Sequence, residues 1–176
     1  MAERCLICAG ATADGHEYHP RCARAFFGMF PPPRLDLSLS DLQEYAAQSV
    51  LNRITVTGVQ KKLSLHVAKR GRDARFAVVG LWGSFILTLP VDEYPSLPEN
   101  EDTVMRMASA VGIPTVPHAL IRLASGEAAY ITRRVDRNER SDKIAMEDFC
   151  QISGRLTEDK YKGSVERVGK LLRRYS

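Results

Sequence analysis

Four residues near the start of the chain have the types and spacing of a metal shell. Cys5-x2-Cys8 is followed, after ten residues, by His19-x2-Cys22. Each x2 loop brings two soft ligands onto one ion, and three thiolates with one imidazole complete a tetrahedral shell without an open position. A closed shell predicts a structural zinc, worth roughly 10 kcal/mol or more of folding energy to a segment too short for its own core. His16 competes with His19 as the ligand, but its spacing to Cys22 is less regular. Reduced cysteines without metal are the alternative. Disulfides are disfavoured, because the polar start Met1-Ala2-Glu3-Arg4-Cys5 is not a secretory signal. Cys150 stands apart on an apolar helix face and reads as a core residue.

A second stretch puts glycine and cations together: Ile54-Thr55-Val56-Thr57-Gly58-Val59-Gln60-Lys61-Lys62-Leu63-Ser64-Leu65. A glycine between β-rich segments lets backbone N–H groups approach phosphate oxygens, and Lys61 or Lys62 would add a point charge. A plain β-bulge at Gly58 is the alternative. Glu101, early in a helical stretch, suits the acid that orients a strand lysine in kinases generally; an ordinary helix N-terminal acid would look the same.

These residues need a scaffold. A chain of 176 residues, 44% hydrophobic and 26% charged, can hold one good core and a small appended module. Residues 1–30 carry the Cys/His knuckle, and Pro31-Pro32-Pro33 opens a stiff Pro-rich linker over 31–39, the best boundary in the chain. Ser40-Asp41-Leu42-Gln43 has capping-box spacing and predicts a helix to about Leu51, with Leu42, Tyr45, Ala46 and Val50 on one face. A strand near Ile54, the alternating Leu63, Leu65 and Val67, and further strands over 76–79 and 85–89 predict a β-meander. A helix follows from Glu99 to Gly112, with Val104, Met107, Ala108 and Val111 lining its apolar face. Residues 116–123 and 128–133 flank Ser125-Gly126 as a hairpin, and two helices near 146–152 and 164–175 close the chain. The fold class is α+β, with a mostly antiparallel sheet.

The net charge is +4. Lys160, Lys162, Arg167, Lys170, Arg173 and Arg174 make a basic tail that reads as a solvated helix face. A nucleic-acid footprint would need a longer stripe with interleaved aromatics. No apolar run approaches a membrane span, so a cytoplasmic location is expected.

Several spaced motifs, in order, resemble the HipA-type serine/threonine kinases. Thr55-Val56-Thr57-Gly58-Val59-Gln60-Lys61-Lys62-Leu63 is similar to their S-x-x-G-x-Q-x-K loop, and Leu97-Pro98-Glu99-Asn100-Glu101 to their acidic helix start. Arg134-Val135-Asp136-Arg137 resembles the R-[FY]-D-R hinge, and Met146-Glu147-Asp148-Phe149-Cys150-Gln151 the M-E-D-[FM]-C-Q element. The knuckle followed by Phe26-Phe27-Gly28 resembles the start of short HipA-like toxins of toxin–antitoxin systems. The resemblance spans nearly the whole chain. It implies a protein-kinase-like N-lobe over 40–176 behind the zinc knuckle, with ATP and magnesium as cofactors. By the same resemblance Thr57, Gly58, Val59, Gln60, Lys61, Lys62, Thr88, Glu101, Arg133, Arg134 and Val135 face the nucleotide. Thr55 and Thr57 take the autophosphorylated positions, where a phosphate would be repelled by those of ATP; two ordinary β-branched strand residues are the alternative. The implied partners are an antitoxin or small N-subdomain protein and a protein substrate such as an aminoacyl-tRNA synthetase. DNA is reached only through the antitoxin, and no membrane is involved.

Two departures accompany the matches. Phe85-Ile86-Leu87-Thr88-Leu89-Pro90 resembles the family's [YI]-I-L-K-x-P strand, but Thr88 stands where the resemblance implies a lysine. Losing a positioned cation beside a triphosphate costs several kcal/mol of binding or transition-state stabilisation. The D-x-x-x-K-N catalytic loop and the metal-binding aspartate that the resemblance implies have no match before Ser176. These residues are therefore expected to form the N-terminal lobe only, inactive alone, with an interaction module or pseudokinase lobe as the alternative reading.

Overall fold

The computed structural model describes residues 4–12, 15–51, 61–71, 73–80, 82–94, 96–137, 142–159 and 162–175. Two compact units divide the chain, Met1–Val135 and Asp136–Ser176. The predicted strand near Ile54 lies outside the described residues.

The first unit is built on one antiparallel sheet. Its strands are β1 (Lys62–Arg70), β2 (Asp73–Val79), β3 (Phe85–Thr88), β4 (His118–Arg122) and β5 (Ala128–Arg133), in the order β2-β1-β3-β5-β4. Leu63 and Leu65 of β1, Leu87 of β3 and Ile131 of β5 share one face and are all at most 2% exposed. The period-2 alternation read from the sequence puts them there. Onto this face fold helix α1 (Pro20–Phe27) and helix α2 (Leu39–Leu51). Phe26 and Phe27 of α1 meet Phe85 and Phe76 edge-on, with ring centroids 5.7 and 6.0 Å apart. Each buried phenylalanine contributes about 1.5–3 kcal/mol.

Helix α1 was absent from the sequence-based reading, although its punctuation is regular. Pro20 opens its first turn, and Gly28 closes it in the left-handed region at φ 76, donating its N–H to Arg24 O. Helix α2 is capped two residues earlier than Ser40-x-x-Gln43 predicts. Ser38 Oγ accepts the Asp41 N–H, and the Asp41 carboxylate accepts the Ser38 N–H at 2.8 Å. The same face is buried as expected at Leu42 and Ala46, while Tyr45 is exposed.

Residues 31–39 run along the unit. Arg34 pairs with the free edge of β2, donating to Ala74 O and accepting from Phe76 N, and Leu39 N–H donates to Ser125 Oγ. The other edge, β4, is covered from the knuckle. Leu120 N–H donates to Leu6 O, and Tyr18 Oη–H donates to Leu120 O. Each edge of the sheet is thus met in part by the first forty residues, at Ala74 and Phe76 on β2 and at Leu120 on β4. Gly83 allows the tight entry into β3: its N–H donates to Ser64 Oγ at 2.9 Å, and a Cβ there would lie 2.5 Å from the same oxygen.

Helix α3 (Leu97–Ala110) lies on β4 and β5. Its orientation corrects the predicted apolar face. Val104, Met107 and Val111 are 54%, 64% and 75% exposed, whereas Pro98 and Asp102 are buried. Charge decides this. The Asp102 carboxylate accepts from Arg106 Nε at 2.5 Å and lies 3.7 Å from His118 Nε2, and Arg106 Nη2 also donates to Leu6 O.

In the second unit, helix α4 (Phe149–Ile152) begins at a capping box in which Asp148 and Gln151 bond each other's backbone N–H. Cys150, expected in a core, is only half-buried, and its thiol donates to Leu156 O. Helix α5 (Val165–Tyr175) carries Arg167, Lys170, Arg173 and Arg174 of the basic tail and buries none of its side chains. Among the described residues, no helix is long and apolar enough to cross a membrane.

Candidate functional site

The Cys/His cluster is assembled by two short segments. A tight turn, with Ala9 N–H donating to Cys5 O and Cys5 N–H to Gly10 O, carries Cys5 and Cys8. His19 is the N-cap of α1 and Cys22 lies in its first turn. The ligand atoms of Cys5, Cys8, His19 and Cys22 all lie within 4.8 Å of one another. A tetrahedral zinc shell with Zn–S near 2.3 Å sets its ligand atoms about 3.8 Å apart, so the spacing fits. His19 Nδ1 lies 3.2 Å from Cys8 Sγ and 3.8 Å from Cys22 Sγ, while Nε2 is 2.9 Å from Ala11 O. A proton on Nε2 would bond the Ala11 carbonyl and leave Nδ1, on the side of the sulfurs, to ligate a metal, the arrangement by which outer-shell carbonyls orient histidine ligands. His16 stands apart, edge-on to Phe30.

Electrostatics fit the same use. Burial raises the Cys5 thiol, but the N–H groups of His19, Cys8 and Ile7 together with the Cys8 side chain outweigh it and bring it down to about 7. Cys22 is pushed up to about 11, by burial first and then by the Cys8 hydrogen bond and the charges of neighbouring sulfurs. Charge on one sulfur holds protons on the next, and a dication among them would release those protons. The three cysteines and one histidine can bind a metal.

The second candidate region lies on the sheet face opposite the aromatic core. Cross-strand pairing sets Lys62 beside Thr88 and Thr88 beside Tyr130, giving one row across β1, β3 and β5. Directly opposed residues share a face. Glu101, half-buried on α3, faces this row. Burial raises its carboxyl above the ordinary glutamate range, and the charges of Lys62 and His118 pull it part of the way back. Tyr130 is 2% exposed, and its hydroxyl has no hydrogen-bond partner among the described residues. Burial raises that phenol, and the charges of Glu101 and Asp102 add to the effect. An orphaned buried hydroxyl next to a desolvated carboxylate is uncommon in a merely structural interface.

The raised Glu101 carboxyl has a signed consequence. Its contribution to stability is present below the ordinary glutamate value of 4.5 and is lost as pH rises through the higher folded value. Glu101→Gln is therefore expected to melt above wild type at about pH 7 and level with it at about pH 4, as calorimetry at the two pH values would show.

The remaining predicted residues separate. Thr55, Thr57, Gly58, Val59 and Gln60 lie outside the described residues. Lys61 is exposed and its carbonyl accepts from Leu89 N. By strand alternation its side chain belongs to the face away from Lys62. Arg133, opposite Phe85, also stands on that other face, and Arg134 N–H donates to Ser84 O. Val135 is 47% exposed at the end of the first unit. Asp102, Arg106, His118 and Tyr130 were missed in the sequence. The i,i+4 acid–base pair Asp102–Arg106 was the one local signal that pointed to them. A groove of about 570 Å³ lies between Ile7, Cys22 and Phe26 on one side and Arg106, Val116 and His118 on the other.

The sheet, α3 and the second unit all fall within residues 54–176, which match the model of the HipA-like C-terminal domain. The chain belongs to the HipA-like kinase family. Two similar proteins come from Sinorhizobium fredii (strain NBRC 101917 / NGR234). "Putative kinase Y4mE" is 34% identical over 113 residues, 62% of this chain and 26% of that protein. "Putative kinase Y4dM" is 31% identical over 134 residues, 68% of this chain and 32% of that protein. A "Putative kinase" of Haemophilus influenzae (strain ATCC 51907 / DSM 11121 / KW20 / Rd) is 30% identical over 113 residues, 61% of this chain and 31% of that protein. The chain thus corresponds to no more than 32% of the length of any of these three relatives.

Proposed function

We propose that this chain is the ATP-facing N-terminal portion of a HipA-like toxin serine/threonine kinase, inactive alone and carrying a structural zinc. The observation that carries the reading is Glu101 on α3, half-buried and in electrostatic reach of Lys62 and Tyr130 of the strand row, within the family match. Kinases grip ATP phosphates with a strand lysine that a helix glutamate orients, and a five-stranded antiparallel sheet with one helix between its third and fourth strands supplies both elements. Residues 54–60 supply the glycine loop, and phosphorylation of Thr55 or Thr57 switches it off by charge repulsion. Magnesium accompanies the nucleotide. The protein acts in the cytoplasm on a protein substrate such as an aminoacyl-tRNA synthetase, under restraint by an antitoxin. Zinc suits the Cys5, Cys8, His19 and Cys22 donor set because three thiolates and an imidazole favour a soft, tetrahedral ion.

A second reading has its own observation. Val104, Met107 and Val111 form an exposed apolar stripe on α3, and Thr88 brings no charge to the row. An interaction module or pseudokinase lobe, bound to an antitoxin or to a separate C-lobe chain, would use that stripe. Titration of the chain with ATP and magnesium, followed by calorimetry, separates the two. Saturable binding by wild type is expected. Its absence in both wild type and Thr88→Lys would favour the interaction module.

A further inference from the structure

The nucleotide reading leaves the lysine question open, because β3 offers threonine at position 88. The sheet register answers it. Lys62 is the directly opposed neighbour of Thr88 on β1, so its Cα sits one strand, about 4.8 Å, to the side and its side chain leaves from the same face. A lysine carries its charge on a flexible four-carbon stem, which can span one strand spacing. Thr88 is 4% exposed and small, so it leaves the space above the row to its neighbours. On the far side of Thr88 stands Tyr130, whose buried hydroxyl has no hydrogen-bond partner among the described residues. On α3, which packs on β4 and β5, Glu101 is a half-buried carboxyl whose electrostatic neighbours include Lys62, His118 and Tyr130. His118 is engaged elsewhere: its Nδ1 lies 3.0 Å from Val116 O and its Nε2 3.7 Å from Asp102. Lys61, the other lysine of the loop end, stands on the opposite face by alternation.

We infer that Lys62 supplies from β1 the ammonium that Glu101 orients toward the triphosphate of a bound nucleotide, in place of a β3 lysine. This rests on the nucleotide reading. Thr88 is then no sign of a dead site, because the cation has moved one strand over.

The test uses the full chain and ATP with magnesium as the probe. Lys62→Met keeps the stem and removes the charge, and is expected to weaken binding at least about tenfold. Lys62→Met combined with Thr88→Lys returns the ammonium from β3 and is expected to recover most of that loss. Lys69→Ala, exposed at the other end of β1, is the control and is expected to bind as wild type does. A second readout needs no nucleotide. The carboxyl carbon of Glu101, followed by NMR through a pH titration, should move to a higher midpoint in Lys62→Met and return in the double variant. Where Thr88→Lys does not fold, Lys62→Met and the titration decide alone. Wild type binding ATP with Lys62→Met equal to it, or a Glu101 midpoint unmoved by Lys62→Met, would overturn the inference. Wild type that binds no ATP instead overturns the phosphate role of Lys62, and if Thr88→Lys binds none either the nucleotide reading falls with it, whichever way Glu101 moves.

Discussion

Cys22→Ser is expected to abolish metal binding at the Cys/His cluster and to lower the melting temperature by at least about 15 °C. Cys22 joins α1 to the turn that carries Cys5 and Cys8, so losing its sulfur opens the shell at the seam between two segments. The damage spreads by hydrogen bonds that can be named. Leu6 O and Tyr18 Oη cover the β4 edge at Leu120, and Leu6 O also receives Arg106 from α3. With the turn released, the Leu120 N–H loses its acceptor and should exchange far faster with solvent. Phe26 and Phe27 still hold α1 against Phe76 and Phe85, so the sheet itself should persist. Metal analysis should find about one equivalent of zinc in wild type and under about half in the variant. Wild type with no metal, and a melting point unchanged by chelator, would sink the structural-zinc reading.

Removing Asp102 is the second large effect. Its carboxylate, 7% exposed, holds Arg106 and faces His118, both on the sheet side of α3. Asp102→Ala leaves the largely buried Arg106 guanidinium with the Leu6 carbonyl as its one remaining hydrogen-bond partner among the described residues, and a buried charge that has lost its partner costs about 3 kcal/mol. In a unit of this size that corresponds to a fall of roughly 10 °C in melting temperature. The effect of Asp102→Ala should also be non-additive with that of Cys22→Ser, because Arg106 is the link between α3 and the knuckle. Strict additivity in a double-mutant cycle would show that the knuckle and α3 are energetically independent.

The exposed stripe on α3 shows why helix faces read from sequence can be inverted. Val104, Met107, Ala108 and Val111 have the right period for an apolar face, and on period alone they belong inside. The helix instead turns Asp102 and Arg106 to the sheet, because they find His118 and Leu6 O there, partners from segments distant in the chain. A fully paired buried charge set can outweigh a few half-buried apolar side chains, and pairing across elements is invisible to a local pattern. The α2 cap shows the same thing on a smaller scale. Two serine-led boxes overlap at Ser38 and Ser40, and the one chosen is that whose chain also reaches Ser125 and Ala124.

What the sequence determined by itself is what spacing encodes. Cys5-x2-Cys8 and His19-x2-Cys22 prescribe a four-ligand cluster, because a short loop fixes the distance between its own ends. The alternation of Leu63, Leu65 and Val67 prescribes a strand with one apolar face, and the hairpin at Ser125-Gly126 is a local turn preference. The family is legible in the motifs for a like reason: each is a short run at fixed intervals. What only the tertiary structure decided is register. Whether Lys61 or Lys62 shares a face with Glu101, that Thr88 stands between Lys62 and Tyr130, and that the first forty residues bond to both edge strands all depend on which strand lies beside which. Strand pairing is a choice among distant segments, made by the whole buried core at once, and a slip of one residue would have sent every one of these side chains to the other face.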